Sequence, residues 1–136
     1  MSNCRETLCH KEFVYKENKS KLVLINTDQV ESIRITVDGC LYRDNRHKKC
    51  DYLHLAKNLA FLIELKGQDI ETAIEQLEIS MKLLSDDIKD RVKNCYIICS
   101  RVPLSSTDIQ NLQKKFKKNN VQANLLVKSS PFTDKY

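Results

Sequence analysis

Two acidic residues and a lysine are the candidate chemical groups of this chain, and one acid and the lysine interrupt an otherwise apolar run. Glu64 and Lys66 lie near the end of the apolar run 59–66, and Asp51 lies one segment earlier. A carboxylate and an ammonium group are costly to desolvate on such a strand unless the site requires them. Two carboxylates supply the hard oxygen ligands that suit Mg²⁺ or Mn²⁺. The alternative is an edge strand on which Glu64 and Lys66 form an ordinary surface ion pair.

The run that carries Glu64 and Lys66 predicts a buried strand over residues 59–66, because a short aliphatic segment is stopped there by Gly67. Side chains alternate between the two faces of a strand, so Glu64 and Lys66 would share one face. The strand would therefore present both charged groups to the same side of a sheet.

The segments before this strand predict a β-hairpin. Apolar and polar residues alternate in residues 32–42, and residues 49–55 resume as a second strand after a polar loop. A loop centred near Asn45 would bring Asp38 close to Asp51. Asp38 is therefore a candidate further acid and metal ligand, although Asp38-Gly39 is also typical of a turn.

The segments after it predict two helices and two further strands. Asp69 is a good N-cap for a helix whose core face carries apolar residues at helical spacing, namely Ile70, Ala73, Ile74, Leu77, Met81 and Leu84. A charged link over 85–91 leads to a strand over 92–102 that buries Cys95 and Cys99, and Pro103 ends it. A second helix covers 107–119 and a last strand covers 123–127. The remaining tail is polar.

The order of these elements predicts an α/β fold in one domain over residues 1–136, with a mixed sheet of about five strands flanked by helices. Residues 6–15 could form a short helix, and residues 21–25 a brief strand. Two prolines and two glycines argue against long disorder. No apolar run reaches the ~20 residues of a membrane helix, and the amino terminus is polar, so we expect a cytoplasmic protein.

Asp51 followed by Glu64-Leu65-Lys66 resembles the signature of the PD-(D/E)XK, or restriction-endonuclease-like, nuclease superfamily. That signature places an acid on one strand and an acid, any residue and a lysine on the next. The residue before Asp51 is Cys50 and not proline, and the superfamily is loose at that position. The resemblance covers roughly residues 32–100 and implies a restriction-endonuclease-like core.

The resemblance implies a metal-dependent nuclease that hydrolyses phosphodiesters in DNA, or less readily in RNA, with Mg²⁺ or Mn²⁺. Asp51 and Glu64 would hold the metal, and the Leu65 carbonyl would add a ligand. Lys66 would orient or deprotonate the attacking water, or neutralise the transition state. Gln76 is either a further site residue or an ordinary helix surface residue. The superfamily's variable acid would be Asp38 or one of three earlier residues, Glu6, Glu12 and Glu31.

The net charge of +5 is unevenly distributed, with a basic cluster in the predicted hairpin loop and another on the second helix. Basic clusters suit a polyanion, because each phosphate contact releases counterions. The alternatives are a hydrophilic loop and a solvated helix face. The candidate nucleic-acid-binding residues are Arg43, Arg46, Lys48, Lys49, Lys114, Lys115, Lys117 and Lys118. A single site would need a homodimer or a partner protein to cut both strands of a duplex.

Other classes of function have weaker signals. A catalytically silent nuclease-like module, serving binding in a defence or toxin–immunity system, is the main rival. Six cysteines are expected to be mostly buried thiols rather than disulfides. A zinc site could draw on Cys4, Cys9, His10, Cys40 and Cys50, but no CxxC pair occurs. With two glycines there is no phosphate-binding glycine-rich loop.

Overall fold

A computed structural model describes residues 3–43, 49–65, 69–102 and 104–136. The first six elements within these ranges are all strands, and the helices occur among the later elements. In chain order they are β1 (Arg5–Leu8), β2 (Glu12–Glu17), β3 (Ser20–Ile25), β4 (Ser32–Thr36), β5 (Tyr52–Ala56), β6 (Leu59–Glu64), α1 (Ile70–Leu83), α2 (Ser85–Ile88), β7 (Val92–Cys99), α3 (Ser106–Asn119), β8 (Ala123–Ser129) and β9 (Phe132–Lys135).

The main sheet has six strands in the order β1-β4-β5-β6-β7-β8. In this sheet β1, β4, β5 and β6 pair antiparallel. The strands β6, β7 and β8 pair parallel, with α1 and α3 in the connections between them. The predicted hairpin is present, with Thr36 opposite Tyr52 in its register. The mixed sheet flanked by helices is confirmed, and it has six strands rather than about five.

The two faces of the main sheet pack against different layers. Leu62 and Cys95 belong to a core that also contains Leu77 of α1 and Phe116 of α3, so the helices cover this face. Phe61, Ile63 and Tyr96 point the other way and pack against β2 and β3. The alternation of β6 side chains therefore places Glu64, like Leu62, on the helix face.

A second sheet of three strands, in the order β2-β3-β9, covers the other face. The short helix expected over residues 6–15 is wrong, because Phe13 and Tyr15 are buried while Val14 between them is 45% exposed, which is the period of a strand. The strand expected over 21–25 is confirmed within β3. The polar tail contains strand β9, which pairs in parallel with β3 from Leu22↔Phe132 to Ile25↔Lys135.

The helices begin where capping residues predict. The Asp69 side chain accepts a hydrogen bond from the Thr72 N–H at the start of α1, and Ser105 accepts one from the Asp108 N–H at the start of α3. The charged link over 85–91 contains the short helix α2. Strand β7 ends at Cys99, before the 102 expected, and Pro103 lies outside the described residues.

Two of the six cysteines form a disulfide where free thiols were expected. Cys4 and Cys40 form a disulfide with a Cα–Cα distance of 5.7 Å, which joins β1 to the turn after β4. Cys50, Cys95 and Cys99 are buried free thiols, as expected, and Cys9 is an exposed free thiol. The proposed zinc set is therefore wrong for Cys4 and Cys40, whose sulfur atoms are bonded to each other.

Candidate functional site

Asp51 is fixed in place by its backbone and by its side chain. Its N–H donates to the Ile63 carbonyl at 2.9 Å, and its own carbonyl accepts from the Val37 N–H at 3.0 Å. The carboxylate oxygen Oδ2 accepts from the Leu65 N–H at 2.8 Å. The Asp51 carboxylate therefore lies against the peptide bond that joins Glu64 to Leu65.

Glu64 closes β6 with its side chain buried at 1% exposure, and Asp51 is also buried at 4%. Both carboxylates act on the Cys50 thiol. Burial above all raises the pKa of Cys50 to about 12; the Ser80 hydroxyl opposes this shift, and the charges of Glu64 and Asp51 contribute to it. The two predicted acids are therefore both buried, and Asp51 is held beside the peptide that follows Glu64.

Helix α1 contacts the segment that leads into Asp51. The Ser80 Oγ accepts from the Cys50 N–H at 2.7 Å and donates to the Gln76 carbonyl at 2.7 Å. The Gln76 Nε2 donates to the Lys49 carbonyl at 3.4 Å. Gln76 is half-buried and bonds the chain two residues before Asp51, and its role as a site residue stays a prediction.

The other predicted site residues are in different surroundings. Asp38 is exposed in a tight turn whose next residue, Gly39, has a φ of 78°. The bond from Val37 to Asp51 brings this turn beside the site, and among the described residues Asp38 itself forms an isolated bridge with Tyr42. Lys66, the predicted catalytic lysine, lies outside the described residues. The role of Asp38 as a ligand stays a prediction.

The basic residues divide between the surface and the interior. Lys114, Lys115, Lys117 and Lys118 are exposed on α3, as expected, and so is Arg43 before the hairpin loop. Lys49 is only 3% exposed. It therefore does not present its ammonium group at a surface that a duplex could contact. Arg46 and Lys48 lie outside the described residues.

A groove of about 260 Å³ separates α1 from α3. Ile74, Leu112 and Phe116 line it, with Glu71 and Glu75 on one side and Lys115 on the other. Carboxylates along α1 repel phosphate, so this groove is not suited to a nucleic-acid backbone.

The four exposed lysines lie in the second half of α3. Since Lys114 is about 12 Å along the helix axis from Ser106, they lie toward the end of α3 remote from its amino terminus.

The donor set at Asp51 and Glu64 fits a hard divalent cation in chemical type. Mg²⁺ is commonly bound through one or two carboxylates and keeps several waters, so two acids are sufficient. The hydrogen bond to Asp51 Oδ2 orients the carboxylate plane, and a carboxylate has further lone pairs for a cation. Among the described residues no group of three or more His, Cys, Asp or Glu side chains is placed to hold a metal.

A buried polar network lies on the opposite face of the main sheet, around His54 of β5. His54 is fully buried, with Nδ1 2.6 Å from the Tyr15 hydroxyl and Nε2 2.7 Å from the Tyr136 hydroxyl. The Tyr136 hydroxyl also contacts Ser32 Oγ at 2.7 Å. Burial, and then the charge of Arg34, lower the pKa of His54 to about 3. The imidazole is therefore neutral and links β5 to the three-stranded sheet.

Ser80 is the site residue that sequence reasoning missed. It occupies a core position of α1, on the face that also carries Ala73 and Leu77. A serine among apolar residues at helical spacing must find a partner for its hydroxyl, and that irregularity was the available signal. The partner, Cys50, is 30 residues away in sequence, so the contact itself could not be read from the pattern.

Comparison of the chain with protein-family models, with curated proteins and with solved structures finds no match. Among the helices that the structure describes, none combines the length and apolar character needed to cross a membrane.

Proposed function

We propose that this chain is a small nuclease of the PD-(D/E)XK type that hydrolyses phosphodiester bonds in DNA with Mg²⁺ or Mn²⁺. The observation that carries the proposal is the 2.8 Å hydrogen bond from the Leu65 N–H to Asp51 Oδ2. It joins the two halves of the predicted motif, which are 14 residues apart in the chain. Burying two carboxylates costs free energy, which favours a ligand or partner for them over packing alone.

The arrangement of elements is consistent with this proposal. Three antiparallel strands, β4, β5 and β6, precede α1, and α1 leads back to β7 in parallel with β6. The acids lie where β5 begins and β6 ends, which are adjacent in the antiparallel pair. We propose that this succession of three strands, a helix and a parallel strand forms a restriction-endonuclease-like core.

In the proposed reaction, Asp51 and Glu64 would hold the metal, with the Leu65 carbonyl as a further ligand. The bound cation would lower the pKa of its water and neutralise charge on the phosphate. Lys66 would orient the attacking water or offset the charge that develops at phosphorus. Gln76 would support the segment before Asp51 through the Lys49 carbonyl.

Nucleic acid is the proposed partner, with DNA favoured over RNA, and a second copy or a partner protein would be needed to cut both strands of a duplex. The exposed lysines of α3 and Arg43 supply positive charge at the surface. Phosphate contacts of this kind position a duplex without reading its sequence.

A second candidate is a catalytically silent binding module with the same fold. The specific observation in its favour is the burial of Asp51 and Glu64, at 4% and 1% exposure. A substrate phosphate must reach the metal, whereas carboxylates in a silent module need only be stabilised within the fold.

The two functions are separated by incubating the purified chain with supercoiled, linear and single-stranded DNA in Mg²⁺, Mn²⁺ or EDTA. Nuclease function predicts cleavage that depends on the metal and stops with EDTA. Binding without cleavage in any metal would support the silent module instead.

A further inference from the structure

We infer that Ser80 is a positioning residue that holds Asp51 in register with Glu64. The inference deepens the proposed nuclease function and rests on it for the consequence at the metal. The hydrogen bond from α1 to the peptide before Asp51 can be tested without measuring nuclease activity.

Ser80 uses both functions of its hydroxyl in a fully buried position. Its Oγ accepts from the Cys50 N–H at 2.7 Å and donates to the Gln76 carbonyl at 2.7 Å. The residue is 0% exposed, as is Cys50. Because water cannot replace these bonds, loss of the hydroxyl would leave a buried N–H unsatisfied.

The chain beyond Cys50 transmits this restraint to the acids. Cys50 is bonded directly to Asp51, whose carboxylate accepts from the Leu65 N–H at 2.8 Å. Leu65 in turn follows Glu64. A shift of the Cys50 peptide would therefore change the distance between the two carboxylates.

Gln76 supports the same segment one turn earlier on α1. Its amide donates to the Lys49 carbonyl at 3.4 Å, which is a longer bond than either bond of Ser80. The hydroxyl contact is the shorter of the two, and the glutamine adds a second bond to the same segment. Groups that orient metal ligands in this way typically change metal affinity or activity by about 10–100-fold when removed.

Ser32 provides a matched control elsewhere in the fold. It is also 0% exposed, and its hydroxyl donates to the Val30 carbonyl at 3.2 Å and contacts the Tyr136 hydroxyl at 2.7 Å. It pairs with Ala56, at the end of the hairpin away from Asp51. Ser32→Ala and Ser80→Ala remove the same group from buried positions, but only Ser80 bonds the residue next to Asp51.

The test measures the hydrogen-exchange protection factor of the Leu65 amide as a ratio to that of the Leu22 amide in β3, so that a general loss of stability cancels. We expect Ser80→Ala to lower this ratio about tenfold, Ser32→Ala to leave it unchanged, and Ser80→Thr, which keeps the hydroxyl, to restore most of it. Should Ser80→Ala not fold, Ser80→Cys keeps a weaker acceptor of similar size, and an intermediate ratio is expected. An unchanged ratio in the folded Ser80 variant overturns the inference.

Mn²⁺ titration supplies the second readout. We expect affinity to fall about 10–100-fold in Ser80→Ala and less than about twofold in Ser32→Ala. Equal affinity in wild type and Ser80→Ala would overturn the positioning role. If wild type itself binds no Mn²⁺, the nuclease proposal fails, and the exchange ratio alone decides whether Ser80 holds Asp51.

Discussion

The carboxylate of Asp51 accepts a 2.8 Å hydrogen bond from the backbone N–H of Leu65, the residue between Glu64 and Lys66. This contact places the acid of one strand against the acid-containing peptide of the next. Both carboxylates also act on the Cys50 thiol, whose pKa is raised to about 12 mainly by burial. The Asp51 side chain is therefore held at the end of β6, next to the peptide that follows Glu64.

Lys66 should separate catalysis from binding. Replacing Lys66 with Met keeps most of the aliphatic stem but removes the charge that would stabilise the transition state. We expect DNA cleavage to fall about 10²–10³-fold, the effect of losing a comparable electrostatic group, while Mn²⁺ and DNA binding largely persist.

The control for this variant is Lys82→Met, which removes an exposed lysine from the last turn of α1. It should cleave as wild type does. Normal cleavage by Lys66→Met would contradict the proposed role. Unfolding of that variant alone would identify Lys66 as a member of a structural ion pair.

His54 should make the fold sensitive to acid. Burial and Arg34 lower its pKa from 6.5 to about 3, so between these pH values the unfolded chain binds a proton that the folded chain does not. The free energy of unfolding should therefore fall as the pH drops through this window, by up to about 1.4 kcal/mol per pH unit. Urea denaturation at several pH values between 7 and 5 measures this slope.

His54→Gln should reduce the slope in that range, because no imidazole is then available to titrate on unfolding. His10 is exposed, and His10→Gln should leave the slope as in wild type. Equal slopes in wild type and His54→Gln would show that other groups cause the acid sensitivity.

The Cys4–Cys40 disulfide should contribute strongly to stability. It closes a loop with a sequence separation of 36, for which chain entropy gives about 4 kcal/mol. The double variant Cys4→Ser/Cys40→Ser should therefore unfold at lower urea, and reductant should lower the midpoint of wild type but not of this variant. Cys9→Ser, at an exposed free thiol, should behave as wild type. A wild-type midpoint that reductant leaves unchanged would contradict the expected contribution.

The α3 lysines should govern the salt dependence of DNA binding. The slope of log affinity against log salt is about −0.9 per neutralised phosphate, so Lys117→Gln/Lys118→Gln should make it shallower by up to about two. Lys16 and Lys21 are paired on the three-stranded sheet and exposed on the opposite side of the molecule. Lys16→Gln/Lys21→Gln should leave the slope unchanged. The same slope in both double variants would exclude α3 from the interface.

The elements that the sequence predicts best are those with local signals. Asp69 and Ser105 cap α1 and α3, and the apolar alternation of β4 and the aliphatic run of β6 specify their strands. The pairing of these neighbours also follows from short connections. The position of Asp51 beside Glu64 could therefore be predicted from the chain.

The features that the sequence did not predict depend on distant partners. Strand β9 is formed by pairing Phe132 with Leu22, and its composition alone is that of a polar tail. His54 is buried because Tyr15 and Tyr136 satisfy both ring nitrogens. The pairing of Cys4 with Cys40 is one of several that six cysteines allow, and spacing does not choose among them.

The central claim is tested most directly by the cleavage of supercoiled DNA in Mn²⁺ by wild type and Glu64→Gln. Glutamine keeps the size of the side chain and removes the charge, so the fold should be retained while the metal ligand is lost. Glu75→Gln changes an exposed glutamate of α1 and is the matched control. The nuclease account predicts cleavage that EDTA stops in wild type and in Glu75→Gln, and a loss of at least about 100-fold in Glu64→Gln. Cleavage by Glu64→Gln at the wild-type rate, or none by folded wild type in either metal, would contradict it.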